Sequence, residues 1–337
     1  MYQSEGGSRA AAEAMLIGGV LVQYVASRLA LTAGARADAP GRRALAQWMP
    51  IAATALAALA MRQTAVAVAL VFGSSVACLS LVPGLSGYVM PMQQLPPTRR
   101  LWVLVLPVAV LLLLAGFHGS LTWYHAVMLL VMGAAFLGVW REPREVDRGI
   151  TTSETAPRAA PAVWAYLIPA LAMAAVGAWL AVRGTVQTGE TSRMLRSEFL
   201  ATTVLSPLLL LPALGAGTMA AQRGQMGELT TALCGTVLLN LCLLLPTIIL
   251  FNYLVGGLAH LHTAHGLHDA FATGAAATPF PLITWRLDSV LLVVLGFGLV
   301  PVATGRWMPE RIEAILLVAL YVAYLAAETV FDAGLLR

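Results

Sequence analysis

Apolar residues run along this chain in unbroken stretches of about 17–28 positions, without the alternation a strand shows. Stretches of that length predict helices that cross a bilayer. Lipid offers no partner for backbone N–H and C=O groups, so a spanning segment must satisfy them within itself. The pattern predicts spans at 12–34, 45–61, 64–83, 101–117, 121–140, 162–189, 199–221, 228–255, 282–304 and 311–331. Turn chemistry separates them: Pro83-Gly84, Pro96-Pro97, and Gly305 before the last span. The longest polar stretch, Arg141 to Pro161, is rich in Arg, Glu, Thr, Ser and Pro and reads as an exposed linker at 141–161. It divides the chain into a half at 1–140 and a half at 162–337, five spans each. The fold class is an all-α membrane protein of about ten transmembrane helices.

Composition agrees with lipid as the surrounding partner. Hydrophobic residues make up 59% of 337 and charged residues 11%, with mean hydropathy +0.81. A soluble domain carries roughly 25% charged residues. Cys78, Cys234 and Cys242 all fall inside apolar runs and read as small buried hydrophobes, with no disulfide framework. All 20 basic residues are arginine, which reads as a GC-rich bacterial coding bias and places the chain in a bacterial inner membrane. The pI near 9.2 follows from loop arginines and points to no nucleic acid. Met1 to Arg9 is polar and the first apolar run is long enough to span, so no cleavable signal peptide is expected. Loop arginines number twelve on one side, including Arg42, Arg99 and Arg144, against seven on the other, including Arg62 and Arg196. The richer side is expected in the cytoplasm, leaving both termini exterior.

Two halves with an odd number of spans each invite an inverted repeat. Pro50 lies 23 residues before Gly73-Ser74, and Pro212 lies 23 before Gly235-Thr236, a constant offset of 212 − 50 = 235 − 73 = 162. Ala58/Ala220, Gln63/Gln225, Leu79/Leu241 and Leu81/Leu243 agree at the same offset. Each repeat reads as a helix hairpin, at 45–83 and 199–255. Pro50 and Pro212 bend the first helix, and Gly73 and Gly235 let another backbone approach the second. The two hairpins are expected to face each other near the midplane, where transporters place their sites.

The stretch Pro212–Asn240, with Ala220-Ala221-Gln222-Arg223-Gly224 and Gly235-Thr236, resembles the second α-repeat of the cation/Ca2+ antiporter superfamily, the sodium/calcium and proton/calcium exchangers. Gly73-Ser74-Ser75 is similar to the matching step of the first repeat, Leu180–Gly184 to the opening helix of the second half, and Arg311–Leu317 to the start of the last helix. The resemblance implies an exchanger fold and alternating access, with one helix pair sliding against a two-hairpin core. It also implies an acidic residue after each bending proline, the pair that coordinates the divalent cation. Here those positions are Ile51 and Ala213, and the Asn expected after Gly-Ser is Ser75 in one repeat and Val237 in the other. Calcium takes six to eight oxygen ligands, carboxylates among them. The calcium site as that family builds it is absent.

What remains on the repeats is neutral: Thr54, Ser74, Ser75, Thr218, Thr236 and Asn240. These side chains suit a monovalent ion or polar solute, or simple hydrogen bonds between helices. Glu228 sits in the first turn of span eight, where a carboxylate suits either ion binding or the helix dipole. Arg286 and Asp288 are expected at the interface as a pair, and Glu328 near water. His260, His262, His265, His268 and Asp269 cluster in the loop between spans eight and nine, at spacings that suit Zn2+ or Cu2+, or a solvated interfacial helix. No nucleophile constellation or phosphate loop marks an enzyme, and no cofactor is implied. Two functions stay open. One is a secondary transporter of an ion or small polar solute other than Ca2+. The other is a non-transporting subunit that kept the scaffold and binds a membrane-protein partner or a second copy of itself.

Overall fold

A computed structural model of the chain describes residues 2–34, 40–91, 100–141, 160–192, 195–260, 277–280 and 284–335. Its helices are α1 (Tyr2–Gly34), α2 (Pro40–Ala60), α3 (Thr64–Leu79), α4 (Leu81–Val89), α5 (Arg100–Val103), α6 (Val105–Ala115), α7 (Trp123–Arg141) and α8 (Ala160–Thr191). There follow α9 (Ser197–Leu200), α10 (Ser206–Leu209), α11 (Leu211–Gln222), α12 (Met226–Leu239), α13 (Leu245–His260), α14 (Val290–Ala303) and α15 (Arg311–Leu335). Three π turns, Ala201–Leu205, Asn240–Leu244 and Thr284–Ser289, interrupt the helical runs. Two short strands, β1 (Ser120–Leu121) and β2 (Thr278–Pro279), pair antiparallel.

Among the described residues six helices are long and apolar enough to cross a membrane, or seven if the bent pair Ser197–Leu209 and Leu211–Gln222 is one span. Three further expected spans fall on α2, on α5–α6 and on α7, whose apolar stretches among the described residues, Ala44–Ala60, Leu101–Ala115 and Trp123–Val139, are of 10–17 residues. The expected turn at Pro83-Gly84 is instead helical: α4 restarts after Ser80, and Pro83 sits in its first turn, where a missing N–H costs nothing. Gly84 is there for contact, since a Cβ would meet the Val318 side chain at 2.8 Å and Ala314 O at 3.0 Å on α15.

The core is built around α3, in which every residue from Val66 to Leu79 is buried. Around it pack α2, α4, α10, α12 and α13. Outer faces are apolar and open to lipid, as at Val131, Ile168, Ile312 and Val330. Helices α1 and α8 form a close antiparallel pair. A Cβ on Gly184 would meet Leu16 N at 2.5 Å, and one on Gly177 would meet Gly19 O at 2.8 Å, so the backbones touch where glycine allows it.

The hairpins α2–α3 and α11–α12 end their first helices identically. Arg62 has φ 59° and Gly224 has φ 71°. Around Arg62 the bonds are Gln63 N–H to Ala58 O (2.8 Å) and Arg62 N–H to Leu59 O (3.0 Å). Around Gly224 they are Gln225 N–H to Ala220 O (2.8 Å) and Gly224 N–H to Ala221 O (2.9 Å). Both are Schellman closures, with the left-handed residue at C′. Donors and acceptors are related by the same offset, 224 − 62 = 162.

Candidate functional site

The prolines and glycines that frame the two hairpins occupy unequal settings. Pro50 lies inside the continuous helix α2. Pro212 is the second residue of α11, just past a 42° bend between the two parts of its span. At Gly73 a Cβ would meet Ser206 Oγ at 2.8 Å and Thr202 Cα at 3.0 Å, so α3 lies directly against the π turn Ala201–Leu205 and the start of α10. Thr202 and Ser206 hydroxyls reach toward Ala69 O (3.5 Å) and Leu70 O (3.4 Å) across this contact.

Three of the expected site residues meet. Asn240 donates from Nδ2 to both Ser74 Oγ (3.1 Å) and Ser75 Oγ (3.2 Å), joining α12's end to α3. The two serines donate in turn to Val71 O, at 3.2 and 2.7 Å. Asn240 also opens the π turn Asn240–Leu244, and such turns are frequent at functional sites. Thr54 is tied elsewhere: its hydroxyl donates to Pro50 O (2.7 Å) and accepts from Gln23 Nε2 (3.2 Å), which also donates to Ala174 O (2.8 Å). Thr236 donates to Ala232 O (3.0 Å), with Ala44 O at 3.3 Å. Thr218 is only partly buried and donates to Gly215 O at 3.1 Å, within its own helix. Glu228 stands in the first turn of α12, half-buried, at the positive end of the helix.

Thr54, Ser74, Ser75, Thr236 and Asn240 are all fully buried, so the conformation is closed over them. Ile51 and Ala213, at the two positions after the prolines, are buried apolar side chains. Sequence reasoning passed over two glutamines. Gln23 links α1, α2 and α8, and Gln47 lies buried one turn from Ala44. The amide oxygens of Gln23, Gln47 and Asn240 have no hydrogen-bond partner. The signal was legible: an amide inside an apolar run must find a partner or a ligand.

The histidine cluster, His262, His265, His268 and Asp269, lies outside the described residues. Among those described, no three His, Cys, Asp or Glu side chains converge as a metal site needs. Asp288 and Glu328 overturn their expected positions. Both are buried, Asp288 completely, while Arg286 on the same π turn is exposed. In a π turn the side-chain directions shift from those of an α-helix, which carries Asp288 inward and leaves Arg286 at the surface. A cavity of about 270 Å3 lies apart, between α4, α12, α14 and α15, lined by Leu79, Met226, Leu233, Val294 and Leu317 with Glu313 at one edge.

Comparison with known proteins fits this architecture. The sodium/calcium exchanger protein family matches residues 162–330, just over half the chain. The sodium-calcium exchanger NCX_Mj, soaked with Na+ and Sr2+, is 18% identical, covers 94% of this chain and 98% of its own, and has TM-score 0.62. The H+/Ca2+ exchanger CAX is 13% identical, covers 96% of this chain and 86% of its own, and has TM-score 0.69. No curated protein matches the chain in sequence. With the family matched over the half that holds Pro212, Thr236 and Asn240, and the fold shared along nearly the full length, the chain belongs to the sodium/calcium exchanger family.

Proposed function

We propose that the chain is a secondary transporter of exchanger fold that carries an ion or small polar solute other than Ca2+. Its path runs between the hairpins α2–α3 and α11–α12, which belong to two inverted five-span halves with both termini at the exterior face. The repeated Schellman closures at one offset support that symmetry. The observation that carries the substrate reading is the neutral centre. Asn240, Ser74 and Ser75 form a buried amide–hydroxyl network, while the positions after both prolines are Ile51 and Ala213. A Ca2+ ion taken from water loses its hydration shell and needs carboxylate charge in return. A monovalent ion or a neutral solute is served by amide and hydroxyl oxygens, and three buried amide oxygens stand unpaired. The closed centre fits one state of an alternating-access cycle.

Purified protein in liposomes tests this directly. Ca2+ uptake is expected to equal that of empty vesicles, while Na+, K+ or H+ flux exceeds it and falls about tenfold in Asn240→Ala. Robust Ca2+ flux overturns the substrate reading. Absence of these ion fluxes and of uptake of labelled small polar solutes overturns transport and leaves the scaffold reading in its place.

A further inference from the structure

Helix α15 turns one polar stripe inward. Tyr321, Tyr324, Glu328 and Asp332, at spacings of three, four and four, share a face, and all four are buried, whereas Val322, Val330 and Phe331 face outward. Against that stripe stands the π turn Thr284–Ser289, which also packs on α3 and α6. It delivers Asp288 and Ser289, neither with any exposed surface. The π turn brings the Asp288 carboxyl to the Glu328 and Tyr324 side of the stripe, close enough for their charges to act on one another, with Tyr321 beside them. Both Asp288 oxygens, Ser289 Oγ and the two tyrosine hydroxyls are without a partner.

The surrounding charges do not answer the pair. Asp332, one turn along α15 from Glu328, lies 3.7 Å from Arg196 Nε, whose side chain is 43% exposed, so that arginine marks the water end of the stripe. Glu198, on α9 beside it, is a half-buried carboxylate. From α3 only Cys78 approaches, near Tyr321. Helix α6 carries no ionisable side chain, and Arg286 is exposed. Two facing carboxyl groups in a water-poor setting cannot both ionise without a compensating positive charge, since an unpaired buried carboxylate is among the costliest arrangements a protein can hold. The donor set is too small for a metal: no three acidic, His or Cys side chains converge among the described residues. A proton needs only two oxygens.

We propose that Asp288 and Glu328, flanked by the hydroxyls of Tyr321 and Tyr324, form a proton-binding site that holds one H+ between two carboxyl groups. In the loaded state one carboxyl O–H donates to the other group's oxygen, and the pair carries one negative charge. On release the proton leaves for water at the Arg196 end of the stripe, and water entering there hydrates the two carboxylates left behind. The site lies off the hairpin centre and does not rest on the transport reading.

Infrared difference spectroscopy on the full chain in lipid nanodiscs tests it. Wild-type protein at neutral pH is expected to show the C=O stretch of a protonated, water-shielded carboxyl, downshifted in D2O. The double variant Asp288→Asn/Glu328→Gln loses that band, and Glu13→Gln, at an exposed carboxylate on α1 paired with Arg9, keeps it. No such band in the wild type overturns the proposal, as does a band that survives the double variant or vanishes in Glu13→Gln. Should the double variant fail to give monodisperse protein, Tyr324→Phe decides. It alters no charge and must move the band's frequency, and an unmoved band overturns the proposal. Ion flux in vesicles is a separate readout, so failure here is distinguishable from failure of the transport reading.

Discussion

Asn240 holds a junction that no backbone bond makes: its amide reaches two hydroxyls on α3 from the end of α12. Replacing it with alanine removes both bonds and opens a small void in a region with no exposed surface. Hydrogen bonds between membrane helices average about 0.6 kcal/mol, and the unmet polar groups and void raise the loss to about 1–3 kcal/mol. Ser75→Ala removes less, because the serine's own donation goes to Val71 O in its own helix. Thermal unfolding in detergent is therefore expected to fall further for Asn240→Ala than for Ser75→Ala. A Ser74→Ala/Asn240→Ala cycle should return a coupling near 0.6 kcal/mol. Equal losses for the two single variants would mean that the amide does not bridge the helices. Ser74, Ser75 and Asn240 were legible as candidates because polar side chains are scarce in apolar runs. Their meeting was not, since it depends on how α3 and α12 rotate against each other, and no periodicity in an all-apolar helix reveals its rotation.

At the scale of elements, the two hairpin turns share a backbone path but differ in the residue at C′. Gly224 takes its left-handed φ of 71° without a Cβ penalty, whereas Arg62 takes 59° with one. Arg62→Gly is expected to raise stability by up to about 1 kcal/mol, with the relief offset in part by the greater freedom of glycine in the unfolded chain. Gly224→Ala should lower it by about 1 kcal/mol. Opposite signs in a single melting series check both, and a loss at each site would mean that the closures are unlike. The α1–α8 pair invites a second test. Gly184 sits against Leu16 N, so Gly184→Ala forces the backbones apart and should cost about 1–3 kcal/mol. Gly18, with open space around its Cβ position, is the control and should tolerate alanine. The offset of 162 was readable from Pro, Gly and Gln positions, and backbone hydrogen bonds now carry it. The continuous helix through Pro83-Gly84 was not readable, because a proline in a first turn and a proline in a loop look alike in sequence. The inward path of Asp288 was hidden for a related reason. A π turn shifts side-chain direction without any signature in residue type.

In the whole molecule, the paired helices α1 and α8 lie beside a core built on α3, and Gln23 spans the boundary. Its Nε2 bonds Ala174 O within the pair and Thr54 Oγ1 on the core side. If the pair slides against the hairpins during transport, the first bond travels with it and the second must break. Thr54→Val removes the second, together with the threonine's own bond to Pro50 O within α2, and leaves Gln23 bonded to Ala174 and the glycine contacts intact. A bond of about 0.6 kcal/mol that holds the closed state slows opening by roughly threefold. Where opening limits turnover, Thr54→Val is expected to raise flux in liposomes by up to that factor, with thermal stability lowered by less than about 1 kcal/mol. Gln23→Leu, which also strips the pair of its internal bond, should cost more stability for no greater gain in rate. An unchanged or reduced flux in Thr54→Val, at full retention of folded protein, would place the moving boundary elsewhere than between α1 and α2.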